Sequence, residues 1–111
     1  MNHWIPLESE KQLDDILLKS QEKPCLIFKH STTCSISAIA KSRLDKDLKL
    51  DNNTIDCYYL DLLKHRKISN EIAEKYSVYH ESPQVLLIEN GACVYDASHL
   101  DIHFSEVLEH V

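Results

Sequence analysis

The run Cys25-Leu26-Ile27-Phe28 contains no polar residue. A strand with one wet face alternates apolar and polar positions, whereas a run without alternation suits a strand covered on both faces. A chain of 111 residues built around such a strand has room for one domain, residues 1–111, with helices on both sides of its sheet.

The flanking segments read as those helices and as partner strands. Ser9 to Ser20 carries Leu13, Ile16 and Leu17 at helical spacing, and Lys23-Pro24 breaks the pattern before the apolar run. Ser31-Thr32-Thr33 offers N-caps for a helix from about Cys34 to Leu50, with Ile36, Ile39, Ala40 and Leu44 as its apolar stripe. Asp51-Asn52-Asn53 is a turn cluster. Ile55 to Leu60 is rich in strand formers, and His65 to Tyr76 places Ile68, Ile72, Ala73 and Tyr76 on one helix side. Ser82-Pro83 precedes a strand from Gln84 to Glu89. Asn90-Gly91 is a strong hairpin signal, with a return strand from Ala92 to Tyr95. A last helix from about His99 to Val111 gathers Leu100, Phe104, Val107, Leu108 and Val111. The order α-β-α-β-α-β-β-α is that of the thioredoxin fold. The expected class is therefore α/β, a thioredoxin-like fold with a four-stranded mixed sheet and helices on both faces.

Composition narrows the chemistry. A formal charge of −6 disfavours phosphate backbones, so no nucleic-acid partner is expected. No apolar run approaches the roughly 18 residues of a membrane span, and Met1 to Pro6 has no basic stretch followed by an apolar one. A cytoplasmic location without membrane association is the expectation. In that reducing compartment Cys25, Cys34, Cys57 and Cys93 are not expected to form structural disulfides, and their spacing does not fit a zinc ribbon. With one glycine, Gly91, the chain has no glycine-rich phosphate cradle.

Cys34 falls where the first strand hands over to a helix. Unpaired N–H groups and the helix dipole favour an anion there, and thiols so placed have pKa values lowered from about 8.5 to between roughly 3.5 and 7.5. The thiolate is the nucleophile of disulfide exchange, and Thr32, Thr33, Ser35 and Ser37 form a polar flank, so Cys34 is the candidate catalytic cysteine. Cys25, Cys57 and Cys93 sit inside expected strands and read as core fillers, Cys93 on an edge strand.

Cys34-Ser35-Ile36-Ser37 is a C-x-x-S. A second cysteine would attack the mixed disulfide and release the substrate; Ser37 cannot, so the chemistry halts at a mixed disulfide until an external thiol arrives. Ser37 lies at i+3 from Cys34 and is either a hydrogen-bond donor to the thiolate or a plain polar residue of the first turn. A proline before a buried strand belongs at its start. In the thioredoxin order that proline, Pro83, is cis beside the active cysteine, and Ser82 presents backbone groups to an extended substrate segment. Thr33, Ser35, Ser82 and Pro83 are the candidate substrate-binding residues.

With Thr33-Cys34-Ser35-Ile36-Ser37 in view, the chain resembles the monothiol bacilliredoxins of the YtxJ family, thioredoxin-like proteins of Gram-positive bacteria that use bacillithiol. Their T-C-P-I-S signature is matched at Thr33, Cys34, Ile36 and Ser37, with Ser35 in place of proline. His80-Glu81-Ser82-Pro83-Gln84-Val85, Asn90-Gly91 and Ala97-Ser98-His99 match later family segments. The resemblance implies removal of bacillithiol from S-bacillithiolated cytosolic proteins, with Cys34 attacking, bacillithiol as co-substrate and no tightly bound cofactor. Ser35 keeps a backbone N–H that proline would remove.

Three other readings compete. His99, His103 and His110 would share one side of the last helix, and His99 and His103 could share a zinc ion, although no nearby cysteine or carboxylate completes a tetrahedral set, and no metal site is expected. His30 and His80 flank the two site segments; protonated, either could stabilise the thiolate, or each is a loop histidine without a role. A glutaredoxin-like iron–sulfur cluster carrier would need the C-G-F-S glycine and phenylalanine, which are absent. A non-catalytic thioredoxin-fold adaptor would bind partners through the Ser82-Pro83 groove and survive loss of the Cys34 thiol.

Overall fold

The computed structural model describes residues 4–49 and 54–111. The expected turn Asp51-Asn52-Asn53, the Leu50 end of the second helix and Met1 to His3 lie outside the described residues. The elements are β1 (Trp4–Pro6), α1 (Lys11–Lys19), β2 (Cys25–His30), α2 (Ser35–Leu48), β3 (Asp56–Asp61), α3 (Arg66–Tyr76), β4 (Gln84–Glu89), β5 (Ala92–Ser98), a 3-10 turn (His99–Asp101) and α4 (Phe104–Glu109). The sheet runs β1-β3-β2-β4-β5. β1 and β2 flank β3 in parallel, while β4 is antiparallel to both β2 and β5. The architecture is the expected thioredoxin-like α/β fold, with five strands rather than four.

The additional strand is β1, where Trp4 pairs with Cys57 and Pro6 with Tyr59. Its three residues end in a proline, too short for any alternation to register. What holds it is tertiary: Trp4 packs against the rings of Phe28 and Tyr59, and its Nε1 donates to Asp45 Oδ1 at 2.6 Å.

Alternate residues of the central strands face opposite cores. Leu26, Phe28, Val85 and Leu87 meet Ala40, Leu44 and Leu48 of α2 and Phe104 and Val107 of α4. Cys25, Ile27, Leu86 and Ile88 meet Leu13 and Ile16 of α1 and Ile68, Ile72 and Tyr76 of α3. This two-sided burial is what the unbroken apolar run demanded.

Two helices differ from their expected faces. In α2 the buried residues are Ser37, Ala40, Leu44 and Leu48, while Ile36 is 39% and Ile39 47% exposed. A buried serine at Ser37 sets the phase of the helix, and both isoleucines turn outward. The last helix starts at Phe104, not His99: His99 takes a left-handed φ of 56° and Ile102 is extended, so a 3-10 turn and a break come first. Ile102, Phe104 and Val107 go inward, and Leu100, Leu108 and Val111 stay exposed.

At the hairpin, Asn90 and Gly91 both have positive φ, 51° and 76°, as a two-residue primed turn requires. The tip rests on the end of α1, where the Ser20 carbonyl accepts from Asn90 N–H and Ser20 Oγ from Gly91 N–H. β5 runs to Ser98, beyond the expected Tyr95, with a register shift opposite Leu87 and Ile88.

Candidate active site at the carboxyl end of β2

The parallel strands β2 and β3 both end at one edge of the sheet, with His30 opposite Asp61. β4 begins there, because Gln84 pairs with Lys29, and β5 ends there, because Ser98 pairs with Gln84. The segment carrying Thr33, Cys34, Ser35 and Ser37 therefore leaves the sheet beside the one carrying Ser82 and Pro83.

Cys34 is the N-cap of α2, with extended backbone at φ −101° and ψ 124°. Its N–H donates to the Ser31 carbonyl at 3.1 Å and its own carbonyl accepts from Ala38 N–H at 3.0 Å. Residues 31–34 thus close into a turn whose last carbonyl starts the helix ladder. The Cys34 side chain is half-buried and makes no capping bond, so its sulfur is not consumed by the helix end. Thr33 and Ser35 on either side are exposed.

Ser37 is fully buried. Its Oγ accepts from Ser31 N–H at 3.0 Å and lies 2.6 Å from His30 Nδ1. The His30 ring is stacked on Phe28 and packed against Tyr59. Burial, and then the Lys41 charge, hold the His30 pKa below its ordinary value. Burial, and then Lys29 and Arg66, do the same for His80. Both shifts favour the neutral imidazole, which is unfavourable to the reading of either as a cationic thiolate partner.

On the other segment, the Ser82-Pro83 peptide bond is cis and Pro83 is buried. The Pro83 carbonyl accepts from His99 N–H at 2.9 Å, His99 Nε2 lies 3.3 Å from Glu81 Oε2, and Gln84 Nε2 donates to the Tyr79 carbonyl. His99 is thereby part of the frame of this loop. His103 caps α4 and His110 stacks on Tyr95, so the three histidines no longer share a helix.

Lys29 is the residue at this edge that the sequence did not single out. It follows the apolar run, yet β2 continues through it and it is fully buried. Its Nζ reaches the Ser69 carbonyl and His80 Nδ1, both at 3.3 Å. Burial pulls its pKa down to about 8. Cys25 and Cys57 lie in the two cores, and Cys93 is half-buried on β5, its Sγ toward the Tyr95 carbonyl.

Solved thioredoxins share this frame. That of Malassezia sympodialis superposes with a TM-score of 0.74 at 14% identity, covering 95% of this chain and 88% of its own. Thioredoxin O2 of Arabidopsis thaliana gives 0.75 at 17% identity, covering 98% and 94%. A protein described as an oxidoreductase candidate with a thioredoxin fold is more similar: 36% identity and a TM-score of 0.83, over 96% of this chain and 91% of that one. The family described as monothiol bacilliredoxin BrxC matches residues 5–107, a span that takes in both site segments, β2 to β5 and all of β1 but Trp4. With a thiol at the start of α2, a serine three residues on and a cis-proline loop at the same sheet edge, the chain belongs to the monothiol bacilliredoxin family.

Proposed function

We propose that this protein removes bacillithiol from mixed disulfides on cytoplasmic proteins, with Cys34 as the attacking thiol. The Cys34 thiolate attacks the bacillithiol sulfur of an S-bacillithiolated protein. A new S–S bond joins Cys34 to bacillithiol, the old S–S bond breaks, and the protein leaves as its thiolate, which takes a proton from solvent. An external low-molecular-weight thiol, a second bacillithiol among them, then attacks the Cys34 mixed disulfide as thiolate. The carrier leaves as a disulfide and the Cys34 thiolate is regenerated. No net electron is gained or lost by this protein over the cycle, so it needs bacillithiol only as co-substrate.

The observation that carries this reading is the pairing of a half-buried Cys34 at the sheet edge with a buried serine at the position where a dithiol protein holds its second sulfur. Membership of the bacilliredoxin family supports the choice of thiol. Thr33 and Ser35 flank the sulfur, and Ser82 and Pro83 offer the neighbouring loop on which an extended substrate segment docks. Among the described residues no helix is long and apolar enough to cross a membrane, in keeping with substrates met in the cytoplasm.

The test is intact-mass analysis after exposure to an S-bacillithiolated protein. One bacillithiol adduct on Cys34, lost on adding free thiol, is expected; Cys34→Ser abolishes both adduct and transfer. Transfer surviving in Cys34→Ser, or an adduct on another cysteine, rules the assignment out.

A further inference from the structure

Ser37 Oγ and His30 Nδ1 are 2.6 Å apart, and the contact spans the turn that carries Cys34. We propose that His30 is a positioning residue: as a neutral imidazole carrying its hydrogen on Nε2, it accepts the Ser37 hydroxyl hydrogen and locks the 31–34 turn that presents the thiol. This rests on Cys34 being the reacting cysteine.

A hydroxyl has one hydrogen and two lone pairs. One lone pair of Ser37 Oγ is taken by Ser31 N–H. If Nδ1 accepts, the hydroxyl hydrogen has a partner and this fully buried group is satisfied. If Nδ1 instead carried a hydrogen, the Ser37 hydrogen would need another acceptor where no water reaches it, a costly arrangement. The ring's other neighbours also suit a neutral form. Phe28 and Tyr59 shield it, Lys41 opposes a positive charge, and Asp61, Asp45 and the Ser37 backbone favour one more weakly than burial and Lys41 oppose it.

Ser31 is held from both sides. Its N–H goes to Ser37 Oγ and its carbonyl accepts from Cys34 N–H. The chain from the last residue of β2 to the first turn of α2 is thus tied by three hydrogen bonds through His30, Ser37 and Ser31. The Ser37 hydroxyl hydrogen is spent on this lock rather than on the sulfur, so serine at this position does more than omit a second thiol. A cysteine there would replace a strong acceptor of Ser31 N–H by a weak one.

The test uses the full chain and no bacillithiol. Nitrogen NMR of the unmodified protein should show His30 as the Nε2–H tautomer at pH 7. Amide hydrogen exchange at Ser31 should quicken roughly 3- to 10-fold in both His30→Phe and Ser37→Ala, about the worth of one hydrogen bond. The double variant should quicken it no further. Alkylation of Cys34 by iodoacetamide should slow by a similar factor. His30→Asn, whose Oδ1 stands where Nδ1 did, should restore most of both. An Nδ1–H tautomer, or Ser31 exchange unchanged in His30→Phe, overturns the proposal. Should His30→Phe not fold, the tautomer of the unmodified protein still decides. An intact lock in a protein that fails to transfer bacillithiol supports the positioning role and counts against the exchange reading alone.

Discussion

Cys25 lies beneath α1 and α3, where burial and then the Asp56 carboxylate push its thiol up to about 11. Burial raises the Cys93 thiol as well, and Cys57 is enclosed by the opposite core. Iodoacetamide at pH 7 should therefore label Cys34 well before the other three, which become reactive on unfolding; peptide mass mapping over time checks the order. Lys29 presents the converse problem, a buried amine with its pKa lowered to about 8 from 10.5 by burial. The unfolded chain holds this proton up to higher pH than the folded one, so folding gains stability as pH climbs from about 8 toward 10.5. Lys29→Met has no amine to titrate. The stability of the natural protein relative to Lys29→Met should improve by about 2 kcal/mol between pH 7 and pH 10, read by urea denaturation. The place of Cys34 at the start of α2 was legible in the sequence because its signals are local: a strand end, a row of capping residues, a polar flank. Lys29 was not, and His30 was legible only as a flanking histidine, because partners such as His80 and Tyr59 come from distant parts of the chain and only the folded sheet reveals them.

Among the elements, β4 matched its expected bounds, Gln84 to Glu89, and β2, β3 and α3 came within two residues of theirs. Those segments have strong periodicity or clear punctuation. β1 escaped notice because three residues carry no period, and α2 turned its face because Ser37, polar by type, is buried by its partners. The expected last helix began too early because Leu100 continues the helical spacing of Phe104, Val107 and Leu108 through a segment that the left-handed His99 breaks. The hairpin was the most transparent element, and it exposes a single point of dependence. The chain's one glycine, Gly91, has φ +76°, and a Cβ there would sit 2.9 Å from Leu17 Cδ1 of α1. Gly91→Ala should cost about 1–2 kcal/mol, chiefly from the backbone conformation because the leucine tip can give way, and should lower the urea midpoint without changing the slope.

At the scale of the whole molecule, β2, β3 and β4 contribute residues to both cores, so neither core can come apart while the sheet is intact. Trp4, the only tryptophan, belongs to the α2 and α4 side and reports on that core alone. Its fluorescence and the far-ultraviolet circular dichroism should nevertheless trace one coincident urea transition; separated midpoints would mean that the two sides unfold independently. The sheet also has two outer strands, and each limits what can be added to it. β1 offers three residues ending in a proline without an N–H, and β5 is thrown out of register by its irregularity opposite Leu87 and Ile88. Long, straight edges are the templates on which identical chains stack into fibrils, and short or bent ones seed them poorly. Both margins of this sheet are therefore poor footholds for a further strand, and two copies of the chain have little backbone along which to zip together.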